Sequence, residues 1–399
     1  MKNIEKYNYW RFWPIVCIAF LYPLNNAMVG LAIPIFFYRK GVNIEMIGFI
    51  AAGQAFTYSF SPILLNKISD RINRRRSVIL GVVGVCCAQF VYFITLEPIP
   101  FLISRMFEGF MMGFIWANLQ SSISDNTEHD HTKYIARYNF SWNFGILSGF
   151  LFGLVLLYFV DVLGYIFYIA PAIMILNSVI AILFLQESTN VNTKARTITN
   201  EINEGNNDNF ADFAKYSIPI ILPFFLIIAY CLGRVNANFL YPLKSEILGF
   251  EAYTVYLLAF FGFSTQIISI TLSSYLSMKN LKRITVISLI AQIITSIFLA
   301  INSNFLLFIL LFLFLGFFTG ILYGSSLKLV LTLNIKKNTS KYSSIFESMI
   351  GLTFLIAPIF TAIIASININ LAFYTLSLVF VIFLIAVLIF TRKICRYDI

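Results

Sequence analysis

FEGFMMGFIW (107–116) and FLGFFTGILY (314–323) are two renderings of one pattern, 207 positions apart. Gly109, Gly113 and Ala117 of the first copy correspond to Gly316, Gly320 and Gly324 of the second. Residues four apart share a helical face, so each copy carries a strip of small residues where a neighbouring helix can come close. A second set of matches runs at an offset of 208: Tyr22, Leu24, Pro34 and Gly41 against Tyr230, Leu232, Pro242 and Gly249. Two stretches at nearly one offset point to an internal duplication.

Each copy lies inside an apolar run long enough to cross a bilayer, which takes about 20 residues of helix. Twelve such runs occur, at 13–38, 44–65, 78–96, 100–121, 136–160, 163–185, 216–242, 252–276, 283–301, 304–331, 343–366 and 370–391. They are continuous rather than alternating, which argues against a transmembrane β-barrel. With 59% hydrophobic and only 12% charged residues, a soluble enzyme built on one core is excluded too. The class is a polytopic α-helical membrane protein.

Lysine and arginine set the orientation. Assigning the N-terminus and every even-to-odd connector to one side places Lys67, Arg71, Arg74, Arg75, Arg76, Lys133, Arg137, Lys279, Lys282, Arg283, Lys336 and Lys337 there, among others. Only Arg39, Lys40 and Lys244 remain on the opposite side. This bias puts both termini in the cytoplasm, and the net charge of +10 then faces an anionic leaflet rather than nucleic acid. The first run is too long for a cleaved signal and is read as the first span. The five cysteines lie in spans or in the tail, so no disulfide framework is expected.

One connector is long. QESTNVNTKARTITNEINEGNNDNFADFAK, about 186–215, is polar and too hydrophilic for the membrane, and reads as a flexible cytoplasmic linker. It separates an N-terminal six-span half (1–185) from a C-terminal one (216–399).

The loop after span 2, NKISDRINRRRS (66–77), contains Asp70-Arg71-Ile72-Asn73-Arg74-Arg75. It resembles the cytoplasmic signature of the major facilitator superfamily, a Gly, three residues, then Asp-Arg-x-Gly-Arg-Lys, with Asn66 and Asn73 in place of the glycines. Asn73 can still make the turn, because Asn tolerates left-handed backbone better than other non-glycine residues. Arg105-x-x-Glu108-Gly109 in span 4 is similar to the family's Arg-x-x-Gln-Gly. GILSGFLFG (145–153) in span 5 is similar to its Gly-x-x-x-Gly-Pro-x-x-Gly exporter element, with Phe150 for the proline. The resemblance implies an all-α membrane protein of twelve transmembrane helices in two pseudo-symmetric six-helix bundles, with a central cavity and alternating access. It also implies that Asp70, Arg71, Arg74 and Asp125 form a charged cytoplasmic latch. The alternative for this loop is an ordinary positive-inside connector.

Charges inside the spans nominate the working residues. Arg105, Glu108, Met112 and Trp116 form a face about 100° from the glycine strip. Arg105 lies about 7 Å below the outer boundary, and Glu108 about 12 Å, at 1.5 Å per residue from Pro100. Arg105 can snorkel outward, whereas a carboxylate that deep must be paired, protonated or wet, as in proton and substrate pathways. Arg234 in span 7 sits inside the outer boundary with its side chain tilted toward the midplane; its counterpart is Asn26. Trp116, its counterpart Tyr323, and Trp142 would suit an aromatic or amphipathic substrate. Lys328 either snorkels or pairs with Glu347 in a gate, and Glu347 follows Ser344 in a capping-box spacing. His129 and His131 read as a solvated loop, not a metal site, and no phosphate-binding glycine loop appears.

The expected function is secondary active transport of a small amphipathic solute, coupled to protons and directed outward. The alternatives are an uptake symporter for a small organic anion or sugar-like solute, or a non-transporting sensor. No cofactor, metal or nucleic acid is expected; the partners are the bilayer, a small molecule and protons. The chain is expected to be a monomer in the plasma membrane.

Overall fold

The computed structural model describes residues 2–116, 118–120, 122, 131–186, 219–337 and 341–392. Regular structure among them is entirely helical. The helices are α1 (Lys2–Arg39), α2 (Ile44–Tyr58), α3 (Ser61–Ile72), α4 (Arg74–Gln89), α5 (Val91–Ile94), α6 (Pro98–Met112), α7 (His131–Val160) and α8 (Gly164–Phe184). They continue as α9 (Leu222–Val235), a π-helical segment (Asn236–Leu240), α10 (Tyr241–Ile247), α11 (Ala252–Ser274), α12 (Met278–Ile301), α13 (Phe305–Lys337), α14 (Lys341–Ile367) and α15 (Ile369–Arg392).

Among the described residues, eleven helical stretches are long and apolar enough to cross a membrane, one at each apolar run but that at 100–121. There α6 stops at Met112 and a turn spans 113–115. The amides of Gly113, Phe114 and Ile115 donate three residues back, to Phe110, Met111 and Met112. This tightening fits a segment with glycines at 109 and 113, where helix propensity is low. The fourth span is an interrupted helix.

Two compact units divide the chain, Met1–Thr193 with Gly249–Leu257 and Lys194–Leu248 with Leu258–Ile399. Inside each, packing obeys the duplication. A Cβ on Gly109 would lie 1.9 Å from Gln54 O, and one on Gly316 would lie 1.8 Å from Gly262 O. No side chain fits at either crossing. The Thr57 hydroxyl donates to Met106 O at 2.5 Å, and that of Thr265 donates to Leu313 O at 3.0 Å. Thr57 and Thr265 are 208 apart, and Met106 and Leu313 are 207 apart. Gly113 rests on Ser61, and Gly320 on Ser269, the residue 208 later. The repeated turn glycines Gly41 and Gly249 both have positive φ, +76° and +72°.

Asn73 joins α3 to α4 with φ 81°, the conformation for which the family pattern uses glycine. Beyond it, Arg75 donates to Leu185 O at 2.5 Å and Ile182 O at 3.1 Å. A basic residue in the first turn of α4 thus satisfies carbonyls at the end of α8. The span 5 glycines seat α7 on α1, since a Cβ at Gly145 would meet Phe20 O at 2.4 Å and one at Gly149 would meet Leu24 O at 2.3 Å.

Candidate functional site

In the first unit, five side chains form an unbroken hydrogen-bonded chain. Gln54 Nε2 of α2 donates to the Tyr22 hydroxyl of α1 at 3.0 Å. Arg105 NH2 of α6 donates to Gln54 Oε1 at 2.6 Å. Arg105 NH1 pairs with Glu108 Oε2 at 2.5 Å. The Tyr92 hydroxyl donates to the other carboxylate oxygen, Glu108 Oε1. Arg105 is 4% exposed and Glu108 1%, so the arginine does not snorkel. Its guanidinium turns one helical turn along α6 to its own counter-ion. Tyr92 is fixed from behind, stacked on Phe101 with centroids 4.5 Å apart, and Phe101 meets Phe37 and Phe167 edge-on. Arg105 Nε is buried with no hydrogen-bond partner.

At one end of this chain, Tyr22 meets Trp116 edge-to-face at 5.4 Å. Asn25 of α1, buried, donates to Gln89 Oε1 at 2.8 Å, and Gln89 also lies beside Glu108. The carboxylate is therefore ringed by donors from α4, α5 and α6 while the aromatic pair stands on α1 and just beyond α6.

The second unit keeps the aromatic pair and replaces the ion pair. Tyr230 and Tyr323, counterparts of Tyr22 and Trp116, are 4.9 Å apart. The counterparts of Arg105, Glu108 and Gln54 are Phe312, Leu315 and Gly262, which together line a cavity of about 10 Å³ beside Arg234. That is room for about one water. Arg234 NH1 donates to Gln266 Oε1 at 3.2 Å, and its guanidinium lies 5.0 Å from the Phe263 ring centroid. No ion pair to an acid is found for Arg234 among the described residues. The backbone just after it is π-helical, a local widening frequent at functional sites.

The family model of the Major Facilitator Superfamily matches residues 15–222 and 223–394. The chain belongs to the major facilitator superfamily. As a superfamily member it is a multi-pass membrane transporter and not an enzyme. Among solved structures it is similar to a bacterial homologue of the human lysosomal transporter Spinster, inward-facing and occupied (14% identity, TM-score 0.72, covering 96% of this chain and 95% of that one). The nucleoside transporter NupG is also similar (14%, TM-score 0.70, 94% and 98%), as is the human organic anion transporter MFSD10 (13%, TM-score 0.62, 95% and 99%). At these identities the likeness shows the superfamily fold alone. No curated protein matches the sequence.

Of the site residues expected from sequence, the structure brings together Arg105, Glu108 and, through Tyr22 and Gln54, Trp116. Tyr323 and Arg234 lie in the second unit. Asn26 is half-buried on α1, but it is its neighbour Asn25 that enters the buried network. Trp142 is half-buried on α7 and takes no part in that network. For the latch, Asp125 lies outside the described residues and nothing is described of the Asp70 side chain; Arg71 is exposed and Arg74 half-buried. One residue from Asp70, the Ser69 hydroxyl donates to Asn118 Oδ1 at 2.7 Å and lies 2.9 Å from the Ser77 hydroxyl, an uncharged tie between this loop and span 4.

Lys328 is 5% exposed and donates to Leu276 O at 2.8 Å, just beyond α11. Glu347 is exposed on α14, which begins at Lys341 rather than at Ser344. Gln54, Tyr92, Gln89 and Asn25 were not singled out from sequence. A usable signal for Gln54 existed: an amide in the middle of an apolar run.

Proposed function

We propose that this transporter works by alternating access, is coupled to protons, and carries a small amphipathic solute with an anionic group. The observation that carries the reading is Arg234: a cation in a membrane helix, held by an amide oxygen and a ring face, beside a cavity lined by no acid. A charge at such depth is expensive unless partnered, and an anionic solute supplies the partner. Tyr230 with Tyr323, in the same unit as Arg234, offers flat apolar surface for the rest of the solute, and Tyr22, Trp116, Trp142 and Asn26 are further positions in the pathway.

Glu108 is the proton site in this proposal. Its protonation breaks the pair with Arg105, and that change reaches Trp116 through Gln54 and Tyr22. Proton and solute are then linked reciprocally, each altering the affinity for the other. The glycine element of span 5 suggests efflux. Gly145 and Gly149 are explained by the seat of α7 on α1, however, and an anion that joins a proton favours co-transport, so uptake is the direction adopted. The proposal keeps two bundles (1–185 and 216–399) joined by a linker at 186–215, with cytoplasmic termini, a plasma-membrane location and a monomeric state. Asp70, Arg71, Arg74 and Asp125 latch the cytoplasmic side, and Lys328 and Glu347 line the same end of the second bundle.

The test is flux in proteoliposomes under an imposed pH gradient, with a panel of amphipathic carboxylates and their neutral amides. Gradient-driven accumulation of carboxylates is expected, lost with binding in Arg234→Gln. Glu108→Gln should still bind but no longer accumulate. Equal transport of acids and amides by Arg234→Gln and wild type sinks the anion reading, and binding without flux would make the chain a sensor.

A further inference from the structure

A second cavity lies away from these residues, on the first unit. It is an open groove of about 920 Å³ lined by Phe12, Val16, Cys17 and Phe20 of α1, Arg137 and Phe140 of α7, and Leu176 and Ile180 of α8, among others. That volume is near the top of the range for small-molecule sites, about 300–1,000 Å³. Along α1 the lining runs from Phe12 to Leu21, about 13 Å at 1.5 Å per residue, close to one leaflet of a ~30 Å hydrocarbon core. The Ser141 hydroxyl is already spent on Val16 O at 2.7 Å, which leaves the trough apolar.

Its one charge sits at one end. Arg137 is exposed, at the first residue of the membrane stretch Arg137–Val160, and its guanidinium contacts the Tyr134 ring at 5.9 Å. No ion pair to an acid is found for it among the described residues. The second unit treats the equivalent place differently. At Cys17's counterpart stands Phe225, whose ring packs on Phe383 at 5.3 Å and Phe390 at 5.7 Å, both on α15. At 207 and 208 residues beyond Arg137 stand Ser344 and Ile345, neither of them charged. One half fills the position with aromatic side chains, and the other leaves a trough and adds a cation at its mouth.

We infer that this groove holds an acyl chain of an anionic phospholipid of the cytoplasmic leaflet, with Arg137 bound to its headgroup phosphate. The chemistry matches on both counts. An apolar slot one leaflet deep takes a hydrocarbon chain, and a guanidinium at the boundary matches a phosphate with two parallel donors. The basic connectors on that side, as oriented above, add attraction for anionic over zwitterionic lipid. Such a site would make transport depend on lipid composition without touching the substrate.

Native mass spectrometry of the full chain released from detergent tests this, with added phosphatidylglycerol or phosphatidylcholine of identical chains. The wild type should retain one phosphatidylglycerol about tenfold better than phosphatidylcholine. Cys17→Phe, which imitates Phe225, should lose the bound lipid. Arg137→Gln, an exposed change that leaves the packed interior alone, should keep a lipid and lose the preference. Equal retention of both lipids by the wild type, or a wild-type preference persisting in Arg137→Gln, overturns the inference. So does a bare wild-type chain, which would mean that another segment or a second copy covers the groove.

Discussion

Replacing Glu108 by Leu should be the most damaging single change within the buried network, and restoring neutrality should repair part of the damage. Arg105 has three donor groups: NH1 on Glu108, NH2 on Gln54 and an Nε with no partner. With Glu108 gone, a guanidinium 4% exposed keeps one amide oxygen and no counter-charge. Removing one partner of a buried pair costs about 3–5 kcal/mol. Arg105→Leu is milder, because Glu108 can take up a proton and keep Tyr92; the loss is then about 1–3 kcal/mol for hydrogen bonds to a charged group. The double replacement leaves Gln54, Tyr22 and Tyr92 around an apolar centre, with no stranded charge. It should therefore be more stable than Glu108→Leu alone. The assay is a double-mutant cycle on unfolding free energy, by titrating sodium dodecyl sulfate into protein in mild detergent. Additive losses would refute the reasoning, because they would mean that neither group senses the other's charge.

Three further outcomes follow from other parts of the molecule. Gly109→Ala should lower yield and thermal stability sharply, since its Cβ would collide with Gln54 O, whereas Gly30→Ala, with nothing within 4 Å, should leave both unchanged. Asn73→Val should destabilise by about 1–3 kcal/mol, the scale of backbone strain at positive φ, while Asn73→Gly is tolerated; equal stability of the two variants would show that the turn relaxes. In a cysteine-free background, Ser303→Cys should react with an impermeant thiol reagent outside intact cells and Ser277→Cys should not, and the reverse pattern would invert the proposed orientation.

Much of the fold was legible because its signals are local. Apolar length predicted every span, including the fourth, whose helix breaks at its own glycines. The 207–208 offset predicted which residues would meet equivalent partners, and glycine spacing predicted the face that packs. Asn73 announced its turn by chemistry alone. Arg105 and Glu108, three residues apart, were bound to be neighbours on any helix.

The rest depended on other helices. From α6 alone Arg105 was as free to reach the outer surface as to turn back; Gln54 on α2 and the pair to Glu108 decided it. Tyr92 comes from α5, sixteen residues away from Glu108, and no periodicity links them. Lys328 finds a carbonyl just beyond α11, and α14 begins one turn before Ser344; neither is recorded in the spacing of its own helix. The trough beside Cys17 was equally invisible, since a cavity is the absence of a neighbour. A sequence repeats with the helix and so records faces. Which side chain from another helix stands opposite a face is set by packing between segments far apart in the chain, and only the folded molecule contains it.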